Sequence, residues 1–210
     1  MRIRSIVLLT ATLLVAPLAW SIPSASLDEA GSGPQAAPSA QDAGTYAAAL
    51  ALMKQGDAAT DQASAHEAYA SARTKLQSLV GRSPQFAEAW NALGYTQRKL
   101  GSLDDSLASY AKALELKPGY PEALEYRGEA YLRLNRIHDA KQTYLDLFAS
   151  NRKIAATLLE SMKVWLKTQQ GSHVVDASEL TDLQQWVQER SQIATQTAAL
   201  TRAGQAASWR

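Results

Sequence analysis

From residue 45 onward, apolar side chains recur three and four positions apart, a spacing that places them along one face of an α-helix. The clearest run spans residues 87–118, where two short amphipathic segments meet at a glycine. Shifted by 34 positions, this run superposes Glu88 on Glu122, Ala89 on Ala123, Gly94 on Gly128, Leu100 on Leu134, Asp105 on Asp139 and Tyr110 on Tyr144. Helix–turn–helix units at this period predict an all-α fold, in which antiparallel helix pairs stack as a short solenoid.

Glycine and proline positions support the same division into units. Gly94 and Gly128 lie inside predicted helices, where glycine costs about 1 kcal/mol relative to alanine, so their recurrence predicts the close approach of a neighbouring helix. Pro118 ends one unit and Pro121 suits the first turn of the next.

The two units resemble the tetratricopeptide repeat, whose pattern combines an aromatic residue, a Leu-Gly pair, small and aromatic positions and a closing proline. Segment 87–120 supplies Trp90, Leu93, Gly94, Tyr110, Ala113 and Pro118, and segment 121–151 supplies Leu124, Gly128, Tyr131, Leu134, Ala140 and Tyr144. The second unit departs from the pattern at Arg127, Leu147 and Arg152. The resemblance implies a right-handed superhelix whose first helices line a concave groove for a protein ligand.

Residues 45–84 are interpreted as a degenerate first repeat. Gly56 is matched with Gly101, at the end of a first helix, and a second helix is predicted over 62–80. The interval from Gly56 to Pro84 is longer by eleven positions than the interval from Gly101 to Pro118. This insertion is assigned to the loop or to the second helix.

Two further helices are predicted over 152–202, and residues 203–210 are expected to form a tail. The first helix ends near Gly171, and the second opens at Asp176 with Glu179 in a variant of the capping box. Two interpretations stay open. The helices cap the last repeat, or they present Trp165 or Trp186 to a partner or to a second copy of the chain.

The N-terminus has the pattern of a secretory signal peptide. Arg2 and Arg4 precede an apolar run over 6–19, and the small residues Ala19 and Ser21 then stand at the −3 and −1 positions of a cleavage site. The run is shorter than the roughly 20 residues of a membrane-spanning helix, although a retained anchor is the alternative. We expect residues 1–21 to direct the chain to a bacterial periplasm, with membrane contact only before cleavage, and residues 22–44, rich in Ser, Ala, Gly and Pro, to form a flexible linker.

The composition and the motifs give no sign of nucleic-acid binding, disulfides, metal binding or catalysis. The chain has 21 basic and 20 acidic side chains, so no charge excess indicates nucleic acid, and it contains no cysteine for disulfides or thiolate metal sites. None of His66, His138 and His173 has a partner at metal-site spacing, and no catalytic motif is present. We therefore expect a protein that is not an enzyme and has no cofactor and no metal site.

Helical spacing identifies the candidate binding residues on the first helix of each unit. The predicted partner-binding set consists of Glu88, Asn91, Tyr95, Arg98, Glu125, Glu129 and Arg133, and Lys99, Glu122 and Leu132 lie on the same faces. Acidic residues and Tyr95 stand where a clamp for a C-terminal carboxylate would need asparagine and basic residues. We expect Tyr95 to stack on a bound segment, and Glu125 with Glu129 to receive its arginine or lysine. The alternative is that Tyr95 packs on the next helix and the glutamates are solvated.

The function expected from these features is that of a non-catalytic adaptor, which holds a peptide segment of another envelope protein and assists the assembly or regulation of a complex. The alternative is a scaffold that self-associates into a homo-oligomer through its C-terminal helices.

Overall fold

The computed structural model describes residues 38–172 and 174–207, and no strand occurs among them. The predicted signal peptide and residues 22–37 of the predicted linker lie outside the described residues. Eight α-helices follow one another in the described part of the chain: α1 (Ala40–Ala58), α2 (Gln62–Arg82), α3 (Ala87–Lys99), α4 (Leu103–Leu116), α5 (Pro121–Arg133), α6 (Ile137–Ser150), α7 (Arg152–Thr168) and α8 (Ala177–Ala207).

The helices pack as successive pairs, which confirms the predicted all-α solenoid. Helix α1 packs on α2, α3 on α4 and α5 on α6, and each pair stacks on the next through α2–α3 and α4–α5 contacts. Helix α7 packs on both α5 and α6, and α8 packs on α7. Tyr110 and Tyr144, which are equivalent at the 34-residue period, are both fully buried in this stack.

The turns inside the pairs repeat at the sequence period, even where the residues differ. Gly101 has φ of +84°, and Asn135, 34 positions later, has φ of +58°. Glycine has no Cβ to clash in this left-handed region, and asparagine is among the few other residues that tolerate it. The amide of Ser102 donates to the carbonyl of Gln97 at 2.9 Å, and the equivalent bond from Arg136 to Tyr131 is 2.8 Å long. Both bonds close the preceding helix in the manner of a Schellman motif.

The turns between pairs repeat in the same way. At each of three helix ends the first residue after the helix donates its amide to a carbonyl four residues earlier, from Ser83 to Leu79, Lys117 to Ala113 and Asn151 to Leu147. Successive donors are separated by one full repeat period. The period therefore runs from the end of α2 to the beginning of α7, beyond the two units that the sequence pattern shows clearly.

Close approach at glycine holds the helices together, as the sequence predicts. A Cβ placed on Gly94 would lie 2.6 Å from the ring of Tyr110, and one on Gly128 would lie 2.7 Å from the side chain of Leu158. Because van der Waals contact needs more room than this, only glycine fits there. Gly56 has the same role, since a Cβ there would lie 2.8 Å from the ring of Tyr69.

The first pair differs from the prediction in two respects. Helix α1 begins at Ala40, inside the predicted linker, because the Ser39 hydroxyl accepts the amide of Asp42 at 3.1 Å and caps the helix. Gly56 lies near the predicted helix end, since α1 stops at Ala58, but it packs on a tyrosine ring as Gly94 does and lacks the positive φ of Gly101, so its match with Gly101 is wrong. The extra length of this unit lies in the helix and not in the loop, since α2 has 21 residues and α4 has 14.

The C-terminal helices pack on the last repeat, and both of their tryptophans make contacts within the chain. Trp165 is only 8% exposed, and the ring of Trp186 packs edge-on against Tyr144 of α6 at 5.2 Å. Gly171 follows α7 and has φ of +79°. Asp176 directly precedes α8, and its carboxylate accepts the amide of Ser178 in the first turn at 2.8 Å. Helix α8 continues to Ala207, past the predicted end of the capping region.

The glycine contacts give a prediction about stability. The Gly94→Ala variant should lose about 1–3 kcal/mol of unfolding free energy, because the added methyl group meets the fully buried Tyr110 ring. Urea unfolding followed by circular dichroism measures the loss. The matched control is Gly81→Ala near the end of α2, where a Cβ would meet nothing within 4 Å, and helix propensity should raise its stability by up to about 1 kcal/mol. Equal effects of the two variants would contradict the close approach.

Candidate functional site

The predicted groove residues lie on α3 and α5, and an ion pair joins these two helices. Arg98 of α3 donates from its guanidinium to the Glu129 carboxylate of α5 at 2.6 Å, and only 8% of Arg98 is exposed. The hydroxyl of Ser161 on α7 donates to the other oxygen of Glu129 at 2.6 Å. Arg133 donates from its guanidinium to the backbone carbonyl of Arg98. Glu129 therefore links three helices and already has a cation of its own chain.

Tyr95 is also engaged within the chain. Its hydroxyl donates to the Asp57 carboxylate at 2.5 Å, and the same oxygen accepts Tyr69 at 2.6 Å and Lys99 at 3.0 Å. Although burial opposes it, these hydrogen bonds hold the pKa of Asp57 below its usual value. Burial and the bond to Asp57 raise the pKa of Tyr95.

Three aromatic rings, one each on α2, α3 and α5, pack in a row around Tyr95. The Tyr95 ring centroid lies 6.3 Å from that of Tyr69 and 5.2 Å from that of Tyr126. The Arg98 guanidinium lies 5.3 Å from the Tyr95 ring and 5.5 Å from the Tyr126 ring, within cation–π range. The structure thus gives Tyr95 the packing role that the sequence left as the alternative to stacking on a ligand.

The remaining predicted residues divide between buried and more accessible positions. Glu125 is only 6% exposed, and Asn91 is buried with its amide 3.4 Å from the Tyr120 hydroxyl. Glu88 is partly exposed and pairs with Lys117 at 2.9 Å. Of the two glutamates expected to receive a ligand cation, Glu125 is therefore buried and Glu129 already binds Arg98.

Burial governs the charge of Glu125. It raises the pKa of this carboxyl to about 7, and the nearby Glu129 carboxylate adds repulsion. A group whose pKa is raised on folding binds its proton more tightly in the folded state, so the folded protein loses stability as its carboxyl ionises.

An open groove lies next to this network, between α5 and α7. It has a volume of about 470 Å³ and is lined by Arg98, Glu129, Leu132, Arg133, Thr157, Glu160, Ser161, Val164, Trp165 and Thr168. Val164 is 60% exposed there, so one wall of the groove presents apolar surface to solvent. Three of the predicted set, Arg98, Glu129 and Arg133, reach this groove, and the other four do not line it.

The α7 side of the groove was not predicted from the sequence. The sequence pattern offers α7 as a cap, yet this helix packs beside α5 in the place that the first helix of a fourth pair would take. A signal for this was present, since Leu158 follows Leu124 by 34 positions and Leu124 follows Trp90 by the same interval. Extending the period by one more unit maps Glu125 and Glu129 onto Leu159 and Lys163, so the period alone would not have identified the α7 residues that line the groove.

Two further observations concern the part of the chain that the structure describes. No group of three or more histidine, cysteine, aspartate or glutamate side chains there could hold a metal ion, and none of its helices combines the length and hydrophobicity needed to span a membrane. His66 and His138 are exposed on α2 and α6, and His173 lies outside the described residues.

The buried carboxyl gives a prediction about pH. Between about pH 4.5 and pH 7 the folded protein should become less stable as the pH rises, because Glu125 ionises later in the folded than in the unfolded state. Glu125→Gln should remove this decline and be more stable than the parent at pH 8, by on the order of 2 kcal/mol. Thermal unfolding across pH 4–8 measures both effects. The exposed Glu122→Gln is the control, and a parallel pH profile for Glu125→Gln and the parent would refute the assignment.

Comparison with known sequences agrees with this architecture. The tetratricopeptide repeat family pattern matches residues 57–121 and, in a second alignment, residues 91–152. The chain is also similar to the chloroplastic tetratricopeptide repeat domain-containing protein PYG7 of Arabidopsis thaliana, with 29% identity over 98 residues. That alignment covers 46% of this chain and 33% of PYG7, so the chain spans about a third of the length of this relative.

Tetratricopeptide repeats generally mediate protein–protein interaction, and the matched residues include α2 to α6 together with the groove side of α5. The 34-residue period, the recurring turns and the family match agree with one another. Residues 57–152 are therefore similar in sequence and in helix packing to tetratricopeptide repeats.

Proposed function

We propose that this protein is a non-catalytic binding module that holds a peptide segment of another protein in the groove between α5 and α7. The observation that carries the proposal is the open groove, with Val164 exposed on one wall and Leu132 and Trp165 beneath it. A fully buried valine side chain contributes about 1.5 kcal/mol or more to an interface, so covering Val164 favours binding.

The groove is a better binding surface than the face between α3 and α5. Arg98, Glu129 and Tyr95 already have close partners inside the chain, so a ligand that bound them would first have to break those contacts. Removing one member of a largely buried ion pair leaves an uncompensated charge, which is costly. The groove offers its apolar wall without such a loss.

The pattern of the first 21 residues supports a periplasmic address, and the partner would then be another envelope protein whose assembly or regulation the module assists. Self-association through the C-terminal tryptophans has less support, because Trp165 is buried and Trp186 packs on Tyr144 within one chain. Binding of a second copy of the chain in the groove would appear in the cross-linking experiment as an adduct of twice the mass of the chain.

A photo-activated cross-linker at position 164 tests the proposal in cells. We expect irradiation to give a discrete adduct with one heterologous protein, recovered from the periplasmic fraction, because a bound segment covers Val164. The matched control places the same cross-linker at Leu145 on α6, an apolar residue that is 40% exposed and lies outside the groove. This variant should give no such adduct.

Three results would count against the proposal. Adducts of the same mass from positions 164 and 145 would mean that the groove has no special affinity. Absence of any adduct at position 164 would remove the evidence for an occupant. An adduct of twice the mass of the chain alone would replace the adaptor by the self-associating scaffold.

A further inference from the structure

Charges along the α5–α7 groove are balanced except at one residue. Of its two glutamates, Glu129 pairs with Arg98 at 2.6 Å, and Glu160 pairs with Lys163 on the next turn of α7 at 2.7 Å. Arg133 also lines the groove, and no carboxylate in the described segments lies within ion-pair distance of it. Among the described residues, the groove therefore contains one cation without an anion.

A hydrogen bond to the backbone holds the Arg133 side chain in place, although no carboxylate of the described residues pairs with it. Its guanidinium carries five N–H donors, of which one bonds to the backbone carbonyl of Arg98. That bond anchors the side chain against α3 and leaves the other donors for a ligand. Because an arginine fork matches the two oxygens of a carboxylate, this is the group that the free donors fit best.

The electrostatic surroundings of Arg133 favour the same ligand. Desolvation and the neighbouring Arg98 lower the pKa of Arg133, and the Glu129 carboxylate, which is paired with Arg98, offsets this only in part. An incoming carboxylate would relieve this repulsion without displacing Glu129 from Arg98.

The opposite wall gives the groove its apolar character. Thr157, Ser161, Val164 and Thr168 face it from α7 at intervals of four, three and four residues, which places them on one helical face. These side chains are small, and they leave a depression beside the exposed Val164 that a larger apolar side chain can fill.

From this arrangement we propose that the groove selects a partner segment that carries a side-chain carboxylate close to an apolar side chain. Arg133 binds the carboxylate, and Val164 with Trp165 covers the apolar group. The inference rests on the function proposed for the groove and names its ligand chemistry. A chain terminus fits less well, because the lining contains no lysine, asparagine or glutamine that could complete a terminal clamp around Arg133.

Defined peptides test the inference on the full chain. The probe is an acetylated and amidated twelve-residue alanine–glutamine peptide with leucine and glutamate four positions apart. Matched probes replace the glutamate by glutamine or by lysine, and a fourth lacks glutamate but ends in a free carboxylate. Titration of ¹⁵N-labelled protein, followed by NMR through the amides of α5 and α7 and the tryptophan indoles, gives each affinity.

We expect the glutamate probe to bind about ten-fold more tightly than its glutamine match, in line with one charge-assisted contact. Arg133→Glu should lose this preference and favour the lysine probe instead. Arg136→Ala is the matched control, since this arginine lies outside the groove and already pairs with Asp139 at 2.7 Å. It should keep the preference of the parent.

Several results would overturn the inference. These are equal affinity for the glutamate and glutamine probes, an unchanged preference in Arg133→Glu, or no binding of any probe. Strongest binding of the peptide with the free terminus would assign the groove to a terminal carboxylate and overturn the side-chain assignment. Cross-linking at Val164 decides separately whether the groove binds protein at all, so the two proposals can fail independently.

Discussion

The stack of helices depends on close approach at positions where only glycine fits. Gly94 admits the ring of Tyr110 and Gly128 admits Leu158, at distances that an added methyl group would make impossible. These contacts set how near each helix lies to its neighbour. Between α3 and α5 the direct link is polar, since Arg98 reaches Glu129 at 2.6 Å.

Close spacing has a consequence for where a ligand can bind. Between α3 and α5 the polar side chains meet one another, so Tyr95, Arg98 and Glu129 are satisfied within the chain. At α7 the pattern changes, because small side chains replace long ones and Val164 stays exposed. The binding surface that we propose therefore lies at the edge of the internally paired network, and not at its centre.

The 34-residue period was enough to predict the helix pairs and the close approach at Gly94 and Gly128. It was not enough for the first pair. The residues around Gly56 resemble those around Gly101, whereas the tyrosine ring that packs on Gly56 shows that its structural equivalent is Gly94. The partners of Arg98 and Glu129 were also missed. Spacing along one helix shows which residues share a face, but it does not show the stagger between two helices, which decides which side chains meet.

A double-mutant cycle on Arg98 and Glu129 tests the account most directly. The single variants Arg98→Met and Glu129→Gln and their combination would be compared with the parent by urea unfolding. If this largely buried pair is a structural link between α3 and α5, the two changes should couple by about 1–3 kcal/mol. If their effects add to within about 0.5 kcal/mol, the pair contributes no link, and the face between α3 and α5 would again be open to a ligand.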